Sequence, residues 1–145
     1  MDGVIYSILA GAAMSVQGVM NTRLGEGIGT MEAGTLVQGT AFALSALALA
    51  FYHRGSFAAL GGVNRLYWLG GVLGVVITVT VMLGIKALSP GVSISIILIS
   101  QLLTAAAIDA MGLMGSQRVS FGWTKFAGLA LMICGVLLFK WTKQT

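Results

Sequence analysis

The sequence predicts an all-α integral membrane protein of five transmembrane helices, and three observations carry that prediction. Charged residues make up 8% of the chain and apolar ones 57%, with a mean hydropathy of +0.97, whereas a soluble domain carries about 25% charged residues. Eight basic and four acidic side chains cannot cover a 145-residue domain with a water-facing surface. Five apolar runs, at residues 4–20, 33–53, 66–85, 92–114 and 121–141, approach or exceed the roughly 20 helical residues that cross a bilayer core. None alternates polar with apolar as membrane-barrel strands do, so helices remain as the way to satisfy a backbone in lipid. The connections at 21–32, 54–65, 86–91 and 115–120 are too short for a soluble domain, so residues 1–145 are read as a single transmembrane domain.

The first run has no Lys or Arg among residues 1–6, so it lacks the basic start of a signal peptide and is read as a span. Gln17 and Asn21 lie four apart on it, on a stripe continued by Ala10 and Met14. In the second run Thr35, Gln38 and Ser45 share a face. Glu26 and Glu32 flank Thr30 at its start, where Glu32 complements the helix dipole, and His53 closes it at the interface. The third run contributes Thr78 and Thr80, and Tyr67 and Trp68 begin it as part of an aromatic belt with Trp123 and Trp141. The chain's one proline, Pro90, sits in a Ser89-Pro90-Gly91 turn before the fourth run.

On the fourth run Ser93, Ser100 and Thr104 align, with Gln101 about 80° round the helix. Asp109 is the one acidic residue inside an expected span, about 12 Å along the axis from Gln101 and hence near a helix end. The fifth run holds the single cysteine, Cys134, which has no intrachain disulfide partner. Small residues recur at helix-pairing intervals: Gly11 with Gly18, Gly70 with Gly74, and Gly128 with Gly135.

Polar groups at membrane depth usually face the bundle interior or a wet cavity. Gln17, Asn21, Gln38, Gln101 and Thr104 are therefore expected to line a polar cavity. The alternative is that they only tie neighbouring helices together. Serine and threonine can satisfy themselves on their own backbone, whereas a glutamine amide cannot satisfy all its hydrogen-bonding sites there. Asp109 is a candidate coupling or gating group, because intramembrane carboxylates serve as proton relays. Its alternative is an interfacial carboxylate, paired with Arg118. Enzyme chemistry is not expected: the lone His and lone Cys fall on different helices, and no cluster has metal-ligand spacing. No cofactor or metal is implied. The net charge of +4 is spread singly over helix ends, which fits interfacial anchoring rather than nucleic-acid binding.

Those cations also bear on orientation. Five spans place the termini on opposite sides, with Arg54, Arg65, Arg118 and Lys125 on the amino-terminal side and Arg23, Lys86, Lys140 and Lys143 on the other. A Lys/Arg bias orients membrane proteins, and four against four supplies none. Copies inserting both ways and pairing antiparallel would explain the tie. A single orientation fixed by other features is the competing account.

Two stretches carry a family resemblance. "LAGAAMSVQGVMNTRLG" resembles the opening of the YdcZ family of the drug/metabolite transporter superfamily, on Gln17, Asn21, Leu24 and Gly25. "ISQLLTAAAIDAMGLMG" is similar to a second family segment, on Gln101, Leu102, Asp109, Gly112 and Gly115. "GLALMICGV" resembles the paired-glycine dimerisation motif of small multidrug resistance proteins, on Gly128 and Gly135. Those exporters hold a mid-membrane Glu in the first helix, and this chain has none there, so proton antiport through such a carboxylate does not carry over.

The resemblance implies an inner-membrane transporter of small molecules, an exporter, built as an antiparallel homodimer of ten helices and working by alternating access. With the polar stripes, which add Gln38 and Thr104, Gln17, Asn21, Gln38, Gln101 and Thr104 would bind substrate, and Gly128 with Gly135 would meet the partner copy. A non-transporting scaffold or regulatory subunit, and a passive channel, are the rival readings.

Overall fold

A computed structural model describes residues 2–119 and 122–141. Its regular structure, among the described residues, is helical: α1 (Asp2–Ile28), α2 (Thr30–Tyr52), α3 (Gly70–Ala87), α4 (Pro90–Met111) and α5 (Trp123–Trp141), with 3₁₀ turns at Phe57–Gly62, Arg65–Leu69 and Leu113–Gly115. Five segments are long and apolar enough to span a membrane, the third counted from Arg65 through its 3₁₀ turn to Ala87. Lys143 and Phe121, which entered the charge count and the fifth run, lie outside the described residues.

The expected connection at 21–32 is overturned. Helix α1 runs on to Ile28, and Gly29 alone separates it from α2. Nothing between Asn21 and Ile28 breaks a helix, and the Arg23 guanidinium meets the Glu26 carboxylate one turn on at 2.9 Å. With 27 residues, α1 is about 40 Å long, which exceeds a ~30 Å hydrocarbon core and leaves its charged last turns for the interface. Glu32 stands in the first turn of α2, as expected, with its carboxylate folded back against Gly29, but it forms no side-chain cap bond.

The fourth helix also ends earlier than expected, at Met111 rather than 114. Gly112 adopts the left-handed conformation (φ 64°) and returns its N–H to the Ile108 carbonyl, a C-terminal signal that continuous hydropathy conceals. The following segment folds back over the helix end. Val119 N–H donates to the Asp109 carbonyl at 2.9 Å, and Arg118 Nε donates to the Ala110 carbonyl at 3.1 Å. These bonds satisfy carbonyls that a helix terminus otherwise leaves unpaired. At the other end of α4, Ser89 caps Val92 N–H and Pro90 occupies the first turn.

The chain divides into two compact units, Met1–Ala87 and Leu88–Thr145. In the first, every buried residue among those described lies toward one end: Gly18, Asn21 and Thr22 on α1, Ala33 and Gly34 on α2, Met82 and Ile85 on α3. Gly34 faces Met82 and Val79 while Gln38 faces Gly74 and Thr78, so α2 and α3 run antiparallel. In the second unit α4 and α5 also run antiparallel, and Gly91 gives the room that brings Phe139 against the start of α4.

Of the seven-spaced glycines on α1, Gly18 alone is used inside this unit. A Cβ there would lie 3.0 Å from Ile85 Cδ1 and 3.2 Å from Val81 Cγ1, whereas one at Gly11 would meet nothing within 4 Å. Close backbone approach is what holds helices together in lipid. Gly18→Val is therefore expected to destabilise by about 1–3 kcal/mol through overpacking, with Gly11→Val near neutral, as read from thermal unfolding in detergent. Equal effects at the two positions would refute this packing assignment.

Candidate functional site

Within the first unit the polar residues fall into two places. Asn21, one turn beyond Gln17 on α1, is 8% exposed at the convergence of the three helices, while Gln17 is exposed. Among the described residues the Asn21 amide forms no hydrogen bond, although no side-chain nitrogen or oxygen is sealed without a partner, so its polar atoms keep some access. The neighbouring Thr22 hydroxyl is satisfied on its own helix by the Gly18 carbonyl at 2.7 Å.

Gln38 occupies the second place. Its Nε2 donates to Thr78 Oγ1 at 3.5 Å across the α2–α3 interface, and Thr78 in turn donates to the Gly74 carbonyl at 2.8 Å. The two helices leave a groove of about 450 Å³ lined by Met31, Gly34, Thr35, Gln38, Phe42 and Thr78, among others. Ligand sites commonly have this size and this character, an apolar wall with few polar groups. The amide bond to Thr78 uses one donor, so the Gln38 side chain, which lines the groove, keeps a carbonyl oxygen and a second N–H with hydrogen-bonding capacity. Thr35 spends its hydroxyl on the Met31 carbonyl at 2.9 Å. Thr78, Met31 and Phe42 were not among the expected site residues. Positions 31, 34, 35, 38 and 42 form a helical stripe legible in the sequence, whereas nothing in the spacing pairs Gln38 with a residue forty positions away.

Gln101 and Thr104 belong to the second unit. Gln101 is exposed on α4, and Thr104 donates to the Ser100 carbonyl at 2.8 Å, the self-satisfied alternative. A groove of about 470 Å³ between α4 and α5 is lined by Leu102, Ala105, Ala106, Asp109, Lys125, Gly128, Leu129 and Met132. Neither Gln101 nor Thr104 lines it, but Asp109 does, and so does Gly128. The pairing of Asp109 with Arg118 is not found: the Arg118 Nε–H is committed to the Ala110 carbonyl instead. A Cβ at Gly128 or Gly135 would meet nothing within 4 Å, so neither glycine is consumed by packing inside its own unit. Cys134 is a free, exposed thiol. Among the described residues no three His, Cys, Asp or Glu side chains gather where they could hold a metal ion.

Neither the curated proteins nor the solved structures offer a match to the chain. A protein family described as "Putative inner membrane exporter, YdcZ" matches residues 3–138. That span takes in all five membrane-length helices up to the last turn of α5 and both quoted motifs, and it places the protein in the inner membrane as a multi-pass transporter-class chain. The chain belongs to the YdcZ family of the drug/metabolite transporter group.

Proposed function

We propose that the protein exports small molecules by alternating access, as a homodimer of two copies inserted in opposite orientations. The observation that carries the reading is the α2–α3 groove, in which the Gln38 amide stands against a largely apolar wall with hydrogen-bonding capacity to spare. A solute suited to it is mostly apolar and carries at least one hydrogen-bonding group. Gln17, Asn21, Gln101 and Thr104 would supply further contacts as the binding site passes between its two facing states. The balanced Lys/Arg count supports opposite insertion, since a pair related by a two-fold axis in the membrane plane exchanges facing states with identical protomers. Gly128 and Gly135, open on α5, would let the partner's backbone approach.

The test is reconstitution into proteoliposomes with a solute panel, with and without a pH gradient, alongside cysteine labelling at each terminus after Cys134 is replaced. Saturable release by the wild type, lost in Gln38→Ala and reduced in Gln101→Ala, is expected, with each terminus labelled from both sides. Flux unaltered by Gln38→Ala would remove the groove from the transport path. One-sided labelling of each terminus would eliminate opposite insertion and favour a fixed subunit of a larger complex.

A further inference from the structure

We propose that the groove between α4 and α5 is a binding site for a phospholipid with a primary-ammonium headgroup. Asp109 lies two residues before the end of α4, and Lys125 is the third residue of α5. Because the two helices run antiparallel, both charges sit at the same end of the hairpin. That end is an interfacial one: Trp123, 84% exposed, stands there with its ring edge-on to Phe126, as aromatic side chains do at headgroup level. From this charged rim the groove runs inward past Ala105, Ala106 and Leu129 to Leu102 and Met132. Seven residues separate Asp109 from Leu102, which is about 10 Å of depth along the helix.

A site with an acid and a base at its mouth and an apolar floor selects its occupant by charge. A net cation is opposed by Lys125 and a net anion by Asp109, so a zwitterion suits the pair best. The apolar walls call for a chain attached to that zwitterion. Between zwitterionic lipids, hydrogen bonding decides. A primary ammonium has three N–H donors for the Asp109 carboxylate, which accepts only, whereas a quaternary ammonium has none. Lys125 carries three donors of its own, enough to serve a phosphate oxygen beside other contacts. The expected order of retention is phosphatidylethanolamine, then phosphatidylcholine, then phosphatidylglycerol.

The assignment is independent of the transport reading, because lipid retention is measured without solute flux. The full-length protein is exchanged into nanodiscs holding equal parts of those three lipids, then released for native mass spectrometry. Wild type is expected to keep phosphatidylethanolamine at least threefold over phosphatidylglycerol. Asp109→Asn, nearly isosteric, should erase the preference over phosphatidylcholine without altering thermal stability. Lys125→Gln should lower retention of all three lipids. Soluble phosphoethanolamine, a headgroup without chains, should not compete. Equal retention of the three lipids by wild type, an undiminished preference in Asp109→Asn, or competition by phosphoethanolamine would each overturn the proposal. So would a disulfide between two copies through Ala106→Cys, made after Cys134 is replaced, which would give the groove to a second protomer.

Discussion

Gly29→Ala is expected to cost the folded state about 1–3 kcal/mol, the cost of holding a residue with a side chain in a backbone region that is essentially glycine's alone. Gly29 has φ 104° and ψ 147°, and it is the whole connection between α1 and α2. Its N–H donates to the Gly25 carbonyl at 3.0 Å, and its carbonyl accepts from Ala33 N–H at 3.0 Å. It therefore closes the hydrogen-bond ladder of one helix while opening that of the next, and it cannot relax without breaking one of them.

Two further variants isolate the cause. A Cβ on Gly29 would also collide with the Glu32 carboxylate, but that carboxylate is the far end of a flexible side chain and can swing away. The double variant Gly29→Ala/Glu32→Ala should therefore remain destabilised. Gly27→Ala, two residues earlier in helix α1 with nothing within 4 Å of its Cβ, should instead gain about 0.5–1 kcal/mol. The measurement is thermal unfolding in detergent. Recovery of the double variant to wild-type stability would show that side-chain crowding, not the backbone, governs this turn.

That turn also marks where the sequence could be read and where it could not. The spans were visible because lipid imposes one rule on every backbone group, and 20-residue apolar runs satisfy it whatever their neighbours are. The ends of α1 and α4 are concealed in the sequence for opposite reasons. On α1, Asn21, Arg23 and Glu26 look like a loop by polarity, yet none of them breaks a helix, and Arg23 and Glu26 form an i, i+3 ion pair on its surface. On α4, hydropathy continues past Met111, but Gly112 in the left-handed conformation stops the helix.

Site residues were legible one helix at a time. The stripe through Gln38 and the position of Asp109 near a helix end follow from 3.6 residues per turn. That Gln38 meets Thr78, and that Asp109 shares a groove with Lys125 and Gly128, depends on tertiary neighbours that no spacing encodes. The repeated glycines show the same limit. Gly18 faces neighbours in its own unit, whereas Gly128 and Gly135 face open space, although Gly11–Gly18 and Gly128–Gly135 share the same interval of seven.

Asn21→Leu is expected to separate stability from transport. Asn21 is 8% exposed as a residue, and its amide forms no hydrogen bond among the described residues. A fully sealed polar group without a partner costs about 1–3 kcal/mol, and one whose atoms keep some access, as those of Asn21 do, costs less. The cost is smaller where the alternative state also lies in lipid. Leucine has similar bulk and no polar atoms, so the variant should unfold at the wild-type temperature or above it.

An amide with no partner inside the fold has hydrogen bonds to offer a solute. Asn21 lies one turn from Gln17 on the same stripe, and its polar atoms retain some access, so a passing solute can take the bonds the protein withholds. Asn21→Leu should therefore reduce saturable release at least tenfold for any solute that wild-type proteoliposomes pass, while Asn21→Gln, longer by one methylene, should retain part of it. A fall in melting temperature together with flux would instead make the amide a structural bond, satisfied by water. Unchanged flux in a stable Asn21→Leu protein would take Asn21 out of the substrate path altogether.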